Sequence, residues 1–219
     1  MSTLAILGAG GHGEVVADAA LCSGRWTDIV WFDDDLSRTP FGSDRVSGPV
    51  AAFGESRTGS EVAFGIGSGE GRRALFENLG TRFVVKTVVH PSASVSPRAR
   101  LGEGVVVLAG AVVNVGAVLS RGVIVNTGSS VDHHCHVGRY AHICPGARLA
   151  GNVRVGEGSW IGMGASIIEG VSIGAGVTVG AGSAVIGDLP DGVLAVGVPA
   201  RIVRRGRLLG RDHKESTGK

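Results

Sequence analysis

Across 219 residues the chain carries 38 glycines, about 17%, against roughly 7% in an ordinary protein. Seven prolines are too few for collagen, and an apolar share of 43% with a net charge of +2 excludes a disordered chain. Residues 201–219 hold seven of the 21 Lys/Arg and two of the 19 acids, so the remainder is slightly acidic and offers no extended basic surface for nucleic acid.

In chain order, LAILGAG (4–10) is a short apolar run closing in glycines, and GEVVADAALCSG continues at helical spacing. This start lacks the charged region and cleavage signature of a signal peptide, and no apolar run approaches 18 residues. Cys22, Cys135 and Cys144 form no disulfide or zinc-knuckle pattern, so the chain reads as cytoplasmic, with no membrane partner. IVWFDDD (29–35) is a second buried strand ending in acids. EVAFGIGSGEGRRALFENL supplies a third strand, a glycine turn and another helix, and FVVKTVV (83–89) leads onward. Strand–helix alternation predicts a small parallel α/β domain over residues 1–86.

Gly8-Ala9-Gly10-Gly11-His12-Gly13 fits G-x-G-x-x-G, and Asp33 stands 20 residues after Gly13. Three readings stay open: a dinucleotide fingerprint with the acid on a ribose hydroxyl, a structural turn, or a nucleotide-sugar site without hydride chemistry. His12 favours the last, because a sugar can use an imidazole donor that a dinucleotide loop seldom needs.

From Val89 to Val185 every sixth residue is Val, Ile or Leu, seventeen positions without an insertion. Four residues after each comes a small or β-branched residue, such as Ala111, Ser129, Cys135, Ala147, Ala165 or Ser183, and glycine often follows the aliphatic directly. Neither a helix nor a simple strand has this period. A short strand and a tight turn do, and three such units close a triangular coil of 18 residues: the hexapeptide repeat of a left-handed parallel β-helix, here over 87–205. Flat sides left bare by such a prism predict a closed ring of three subunits. The basic tail, 206–219, has no repeat and reads as a flexible end.

VDHHCHVG (131–138) concentrates histidines: four of the chain's seven lie between 133 and 142. Zinc would need three convergent nitrogens, whereas His133, His136 and His142 fall on successive sides of the coil. His136 reads as a surface or interface residue, and Cys135 fills a small-residue corner. Residues 18 apart stack on adjacent coils about 4.8 Å apart, so Gly151 lies beside His133 and is expected to leave an open cleft there.

Taken together, GAGGHGEVV, FDDD, GIGSGEGRR, HPSASVSP, VNTGSSVDHHCHVG, YAHICPGARLAGNV and GVLAVGVPARIV resemble the bacterial nucleotide-sugar acetyltransferases related to sialic acid O-acetyltransferase, the NeuD/PglD family. The resemblance covers almost the whole chain. It implies a Rossmann-like N-terminal domain, a β-helix that forms homotrimers, and an active site between subunits. It implies acetyl-CoA as co-substrate, no metal, and a nucleotide-sugar acceptor. His133 would be the base that takes a proton from the acceptor as it attacks the thioester, a role suited to an imidazole titrating near neutrality. The family usually has an acid directly after this histidine. Here that position is His134, with Asp132 on the other side, and either could orient the base, although strict strand alternation would turn both away. His142 would meet the acetyl end of the coenzyme and stabilise an oxyanion, Gly151, Met163 and Ala181 would line the pantetheine arm, and Arg201 would face its phosphates. Gly10, Gly11, His12, Asp33, Asp34 and Ser68 would hold the acceptor.

The favoured acceptor is the amino group of a nucleotide-linked 4-amino-4,6-dideoxy sugar. O-acetylation of sialic acid or another sugar hydroxyl is the alternative, and an NAD-dependent enzyme, a metal-dependent β-helix enzyme and a non-catalytic scaffold are weaker ones. Trp26, Tyr140 and Trp160 are aromatics that could stack on a ligand, although packing is the commoner role.

Overall fold

The computed structural model describes residues 2–56, 61–79 and 82–205, so the basic tail expected at 206–219 lies outside the described residues. The first 85 residues build a parallel sheet in the order β2-β1-β3-β4, from β1 (Thr3–Leu7), β2 (Asp28–Phe32), β3 (Glu61–Phe64) and β4 (Val84–Val85). Helices α1 (Gly11–Cys22), α2 (Val50–Ser56) and α3 (Gly69–Leu79) accompany it. Strand β1 is apolar on both sides because both sides are covered. Leu4 and Ile6 pack with α1 residues, while Ala5 and Leu7 share a core with Phe53 and Leu75. Helix α2 had no clear sequence signal. FVVKTVV also divides: β4 joins this sheet, and β5 (Val88–Val89) opens the next.

From there seventeen two-residue strands, β5 to β21, recur every sixth residue as far as Ala184–Val185. They form three parallel faces. The first holds β5, β8, β11, β14, β17 and β20, and is extended by β22 (Val193–Val196) and the antiparallel β23 (Arg201–Arg205). The second holds β6, β9, β12, β15, β18 and β21, and the third β7, β10, β13, β16 and β19. Inward aliphatics stack coil on coil, as in Val107, Val125, Ile143, Ile161 and Val179, all fully buried. The small residues four positions later, Ala111, Cys135 and Ala147 among them, fill the same core. Each coil turns where φ is positive: at every sixth residue from 104 to 182 it lies between 56° and 75°. Glycine takes eleven of these fourteen corners, and His134, Tyr140 and Asn152 take the others. The glycines directly after the aliphatics serve another purpose. A Cβ on Gly138 would meet the backbone N of Glu157 at 2.7 Å, so close approach of the next coil requires the bare backbone.

The N-terminal domain sits on the first face, where Leu4, Ile6, Val16 and Trp26 share a core with Val88, Val106, Leu108 and Ile124. Arg72 of α3 pins the junction. It is 1% exposed and has no carboxylate partner among the described residues. Instead it donates to five carbonyls: Nε to Gly122 (2.8 Å), Nη1 to Ile66 (3.1 Å) and Gly67 (2.6 Å), and Nη2 to Tyr140 (2.6 Å) and Ala141 (3.3 Å). Burial draws its pKa down to about 10, which leaves it charged at neutral pH. The loop after β3 is thereby tied to two coils of the solenoid.

Gly67 also faces His142, 3.3 Å from its Nδ1, while His142 Nε2 lies 3.0 Å from Asn126 Nδ2. Asn126 Oδ1 accepts the Thr127 N–H, which fixes the amide and makes its nitrogen the donor. His142 is therefore neutral, with its proton on Nδ1. Burial, then Arg72 and His12, lower its pKa to about 3, and burial and Arg72 lower His12 to about 4.

Two outcomes follow for stability. Arg72→Met strands buried carbonyls at the junction and should lower unfolding free energy by roughly 3 kcal/mol, with Arg72→Lys in between, as measured by chemical denaturation. A buried neutral histidine takes up fewer protons than its unfolded counterpart between the ordinary 6.5 and its depressed folded value. This contribution is complete above pH 6.5 and is lost as pH falls toward about 4 and about 3. Glu61, held low first by the Lys86 hydrogen bond, starts to matter only below its ordinary 4.5. The melting temperature should therefore fall between pH 6.5 and 4.5, and His142→Gln, whose amide can keep both bonds, should flatten that fall. A wild-type profile level across this window would refute the buried neutral pair.

Candidate active site

At the N-terminal domain the glycine loop is built by close packing. Gly8 has φ 104°, and a Cβ on Gly13 would collide with the Gly8 carbonyl, so α1 starts hard against the end of β1. Asp33 secures this loop: its Oδ2 accepts the Ala9 N–H (2.6 Å), its Oδ1 accepts the Asp35 N–H (2.9 Å), and Arg38 pairs with it at 3.5 Å. Both oxygens therefore hold backbone, which fixes the carboxylate beside the loop. Asp34 accepts the Val50 N–H through Oδ1 (3.1 Å) and lines a cleft of about 650 Å³ with Ile66, Gly71, Asn78 and Arg82. Ser68 caps α3, accepting the Gly71 N–H at 3.3 Å. Gly10 is the residue capping α1, and beside Gly11 the space is open. His12 Nε2 is buried without a hydrogen-bond partner among the described residues, its ring 6.1 Å from that of His142. Arg38 Nε, beside Asp33 on the same loop, is likewise buried without a hydrogen-bond partner among the described residues.

His142 is 5% exposed, gives its N–H to Gly67 and accepts through Nε2 within this single chain. Trp160, one coil on, stacks on it at 4.3 Å and stays exposed. Of the other aromatics, Trp26 is buried and donates to Glu61 (2.6 Å), and Tyr140 is buried against Phe76.

The histidine cluster occupies the corner between the second and third faces, in the turn from β12 (Ser130–Val131) to β13 (His136–Val137). Asp132 Oδ1 accepts the His133 backbone N–H (2.7 Å) and Asn114 Nδ2 (2.8 Å), and these bonds hold its carboxyl below the usual range. Asp132 thus braces the turn, and its charge also acts on His133. His134 does not point away: its Nδ1 lies 3.2 Å from His133 Nδ1. Strand alternation ends at Val131, and the positive φ of His134 turns the ring back. The cleft expected beside Gly151 is also corrected, for a Cβ there would collide with the His133 imidazole, which already fills the space. His136 lies on the third face and His142 on the first, so the zinc reading finds no convergence. Among the described residues only Asp18, Cys22 and His90 bring metal-ligand types together, away from this corner.

Met163 and Ala181 stack at the corner between the first and second faces, the Gly182 N–H donating to the Met163 carbonyl (2.8 Å). Arg201 extends the first face on β23. The site residues therefore fall into two groups. The acceptor loop, His142, Met163, Ala181 and Arg201 belong to the first face and its edge with the second. Asp132, His133, His134 and Gly151 belong to the opposite corner, whose contacts among the described residues are with other solenoid residues. Exposed Val115, Ile168 and Ile186 flank that corner. Sequence reasoning missed Arg72, which reads as one more basic residue on a helix, and Asn126. Asn114 was within reach, standing 18 residues before Asp132.

Comparison with known proteins covers both domains. The PglD N-terminal domain matches residues 3–79 and the bacterial transferase hexapeptide (six repeats) matches 152–187. A curated relative, UDP-N-acetylbacillosamine N-acetyltransferase of Bacillus subtilis (strain 168), is 39% identical over 115 residues, 50% of this chain and 52% of that protein; the match spans about half the relative's length. The acetyltransferase domain of PglB from Neisseria gonorrhoeae FA1090 superposes with a TM-score of 0.88 at 41% identity, over 93% of this chain and 100% of that one. PerB from Caulobacter crescentus, solved with CoA and GDP-perosamine, gives 0.85 at 39% identity over 92% and 97%. No helix among the described residues is long and apolar enough to cross a membrane. With likeness of this extent across both domains, the chain belongs to the NeuD/PglD family of bacterial nucleotide-sugar acetyltransferases.

Proposed function

We propose that the protein is an acetyl-CoA-dependent N-acetyltransferase acting in the cytoplasm on the amino group of a nucleotide-linked 4-amino-4,6-dideoxy sugar. The observation that carries this reading is the likeness, over nearly the full length of both chains, to an enzyme seen with CoA and an amino-sugar nucleotide together. A Rossmann-like domain and a β-helix joined through Arg72 suit two ligands, a nucleotide sugar on the first and a coenzyme along the second.

His133 is the base. The amine nitrogen of the acceptor attacks the thioester carbonyl, and its proton passes to His133 Nε2. The C–S bond then breaks, and the coenzyme leaves as a thiolate that recovers the proton as a thiol. The nucleotide sits by the Asp34 cleft, and the glycine loop with His12 faces the sugar. Met163, Ala181 and Arg201 line the coenzyme, with Gly151 contributing from the His133 corner.

Because His133 and the acceptor loop lie on opposite sides of the prism, one chain does not complete the site. A homotrimer does: the His133 corner of one subunit meets the first face of the next, in a heterologous contact that a three-fold ring closes. The apolar Val115, Ile168 and Ile186 on one partner surface and Met163 and Trp160 on the other suit burial in that contact.

Release of free CoA from acetyl-CoA, measured against a panel of nucleotide-linked 4-amino sugars and free sialic acid, tests the assignment. Turnover with an amino-sugar nucleotide is expected. Turnover with sialic acid alone would make the enzyme an O-acetyltransferase, and absence of acetyl-CoA binding would overturn the reading. His133→Asn should lower kcat by roughly 10²- to 10⁴-fold without shifting the melting temperature.

A further inference from the structure

We infer that His134 is a positioning residue whose Nδ1 accepts the Nδ1–H of His133, holding His133 in the tautomer that leaves its Nε2 lone pair free. The inference rests on the reading of His133 as the base. The two Nδ1 atoms are 3.2 Å apart and the rings meet edge to face, their planes 73° apart. At that separation one nitrogen must carry a proton and the other must not.

Four features show that this contact is built into the corner. His134 has φ 56°, a conformation that eleven of the fourteen corners reserve for glycine, including Gly116 directly beneath it. Each ring has a seat where no side chain stands: a Cβ on Gly116 would meet His134 Cδ2 at 2.7 Å, and one on Gly151 would collide with the His133 ring. The backbone is clamped from both sides, His134 N–H to the Val115 carbonyl (3.1 Å) and Asn152 N–H to the His133 carbonyl (2.9 Å). Asp132 Oδ1 takes the His133 amide and Asn114, which fixes the backbone under the His133 ring.

The direction of donation follows from the chemistry required. With the proton on His133 Nδ1, Nε2 is a free acceptor for the amine proton. The reverse arrangement puts a hydrogen on Nε2 and disables the base. The titratable groups around the pair are Asp132 and His136 in the same coil, the latter 3.2 Å from the His134 carbonyl, and Glu169 above, which accepts from Asn152 (3.2 Å). The coil below presents uncharged Asn114, Val115 and Gly116.

His134→Gly is a clean deletion, since glycine is the ordinary occupant of this corner. Its melting temperature should be no lower than wild type and the KM for acetyl-CoA unchanged, while kcat falls by between about tenfold and a thousandfold. His134→Asp restores an acceptor-only partner; it should recover much of kcat. A His134→Gly enzyme with wild-type kcat, or glycine and aspartate variants equally slow, overturns the inference. His133→Asn run alongside separates the two claims: if it is inactive while His134→Gly is normal, only the positioning role fails, and if it is active the base assignment itself is wrong.

Discussion

A chain of L-residues turns the corners of this triangular solenoid by passing one residue in six into the left-handed backbone region, and the rest of the structure answers to that requirement. Glycine meets it at little steric penalty, whereas a residue with a Cβ loses roughly 1–2 kcal/mol there. Three corners nevertheless carry side chains, at His134, Tyr140 and Asn152. Each has a local reason. The Tyr140 carbonyl takes Arg72 and its ring packs on Phe76, joining the domains. The Asn152 N–H holds the His133 carbonyl, and the His134 ring meets that of His133. Strain of this kind survives only where the surroundings fix it, and here the departures from glycine coincide with the domain junction and the base.

The solenoid was legible because its signal is periodic. One wrong residue among the seventeen aliphatics would have put a polar group in a core only a few side chains wide, so the sequence from Val89 to Val185 tolerates none. The parallel sheet was legible for a similar reason, since LAIL and VAF are apolar on both faces. Side-chain direction at the corners was not. Alternation is a strand rule, and it lapses after Val131, which is why His134 was expected to turn away and Gly151 to stand beside empty space. Arg72 was hidden for a different reason. Its partners are carbonyls from residues 66 to 141, and carbonyls leave no mark in a sequence. The proton on His142 Nδ1 depends on Gly67, a contact that exists only after the domains dock, and on Asn126 from the adjacent coil.

Docking also separates what the sequence reading had gathered. The N-terminal domain occupies the first face, so it covers His142 and leaves the His133 corner bare. If both groups serve one reaction, as proposed, two half-sites facing different directions need a second copy to supply the missing half. An isologous pairing would bring like to like, base corner to base corner, and would complete nothing. Head-to-tail contact brings base to acceptor at every interface, and in a triangular prism three such contacts close. On that proposal the Arg72 junction bears on catalysis, because slack between domains would move the acceptor loop relative to the neighbour's His133.

Cys135 bears on how the acyl group travels. It follows His134 directly, and a thiol next to two imidazoles invites comparison with enzymes that carry the acyl group on cysteine. The geometry argues against that route. Cys135 sits at the inward small-residue position of its coil, fully buried, with its Sγ 3.0 Å from the Ala150 carbonyl. Burial pushes the thiol up to about 11, whereas a nucleophilic cysteine needs its thiolate near neutral pH. Cys144, raised to about 12 by the same cause, is no better placed. With both thiols turned into the core and His133 outward over Gly151, the corner presents a base and no nucleophile. This geometry supports the proposed route, in which the acyl group passes from coenzyme to amine with no enzyme-bound acyl intermediate.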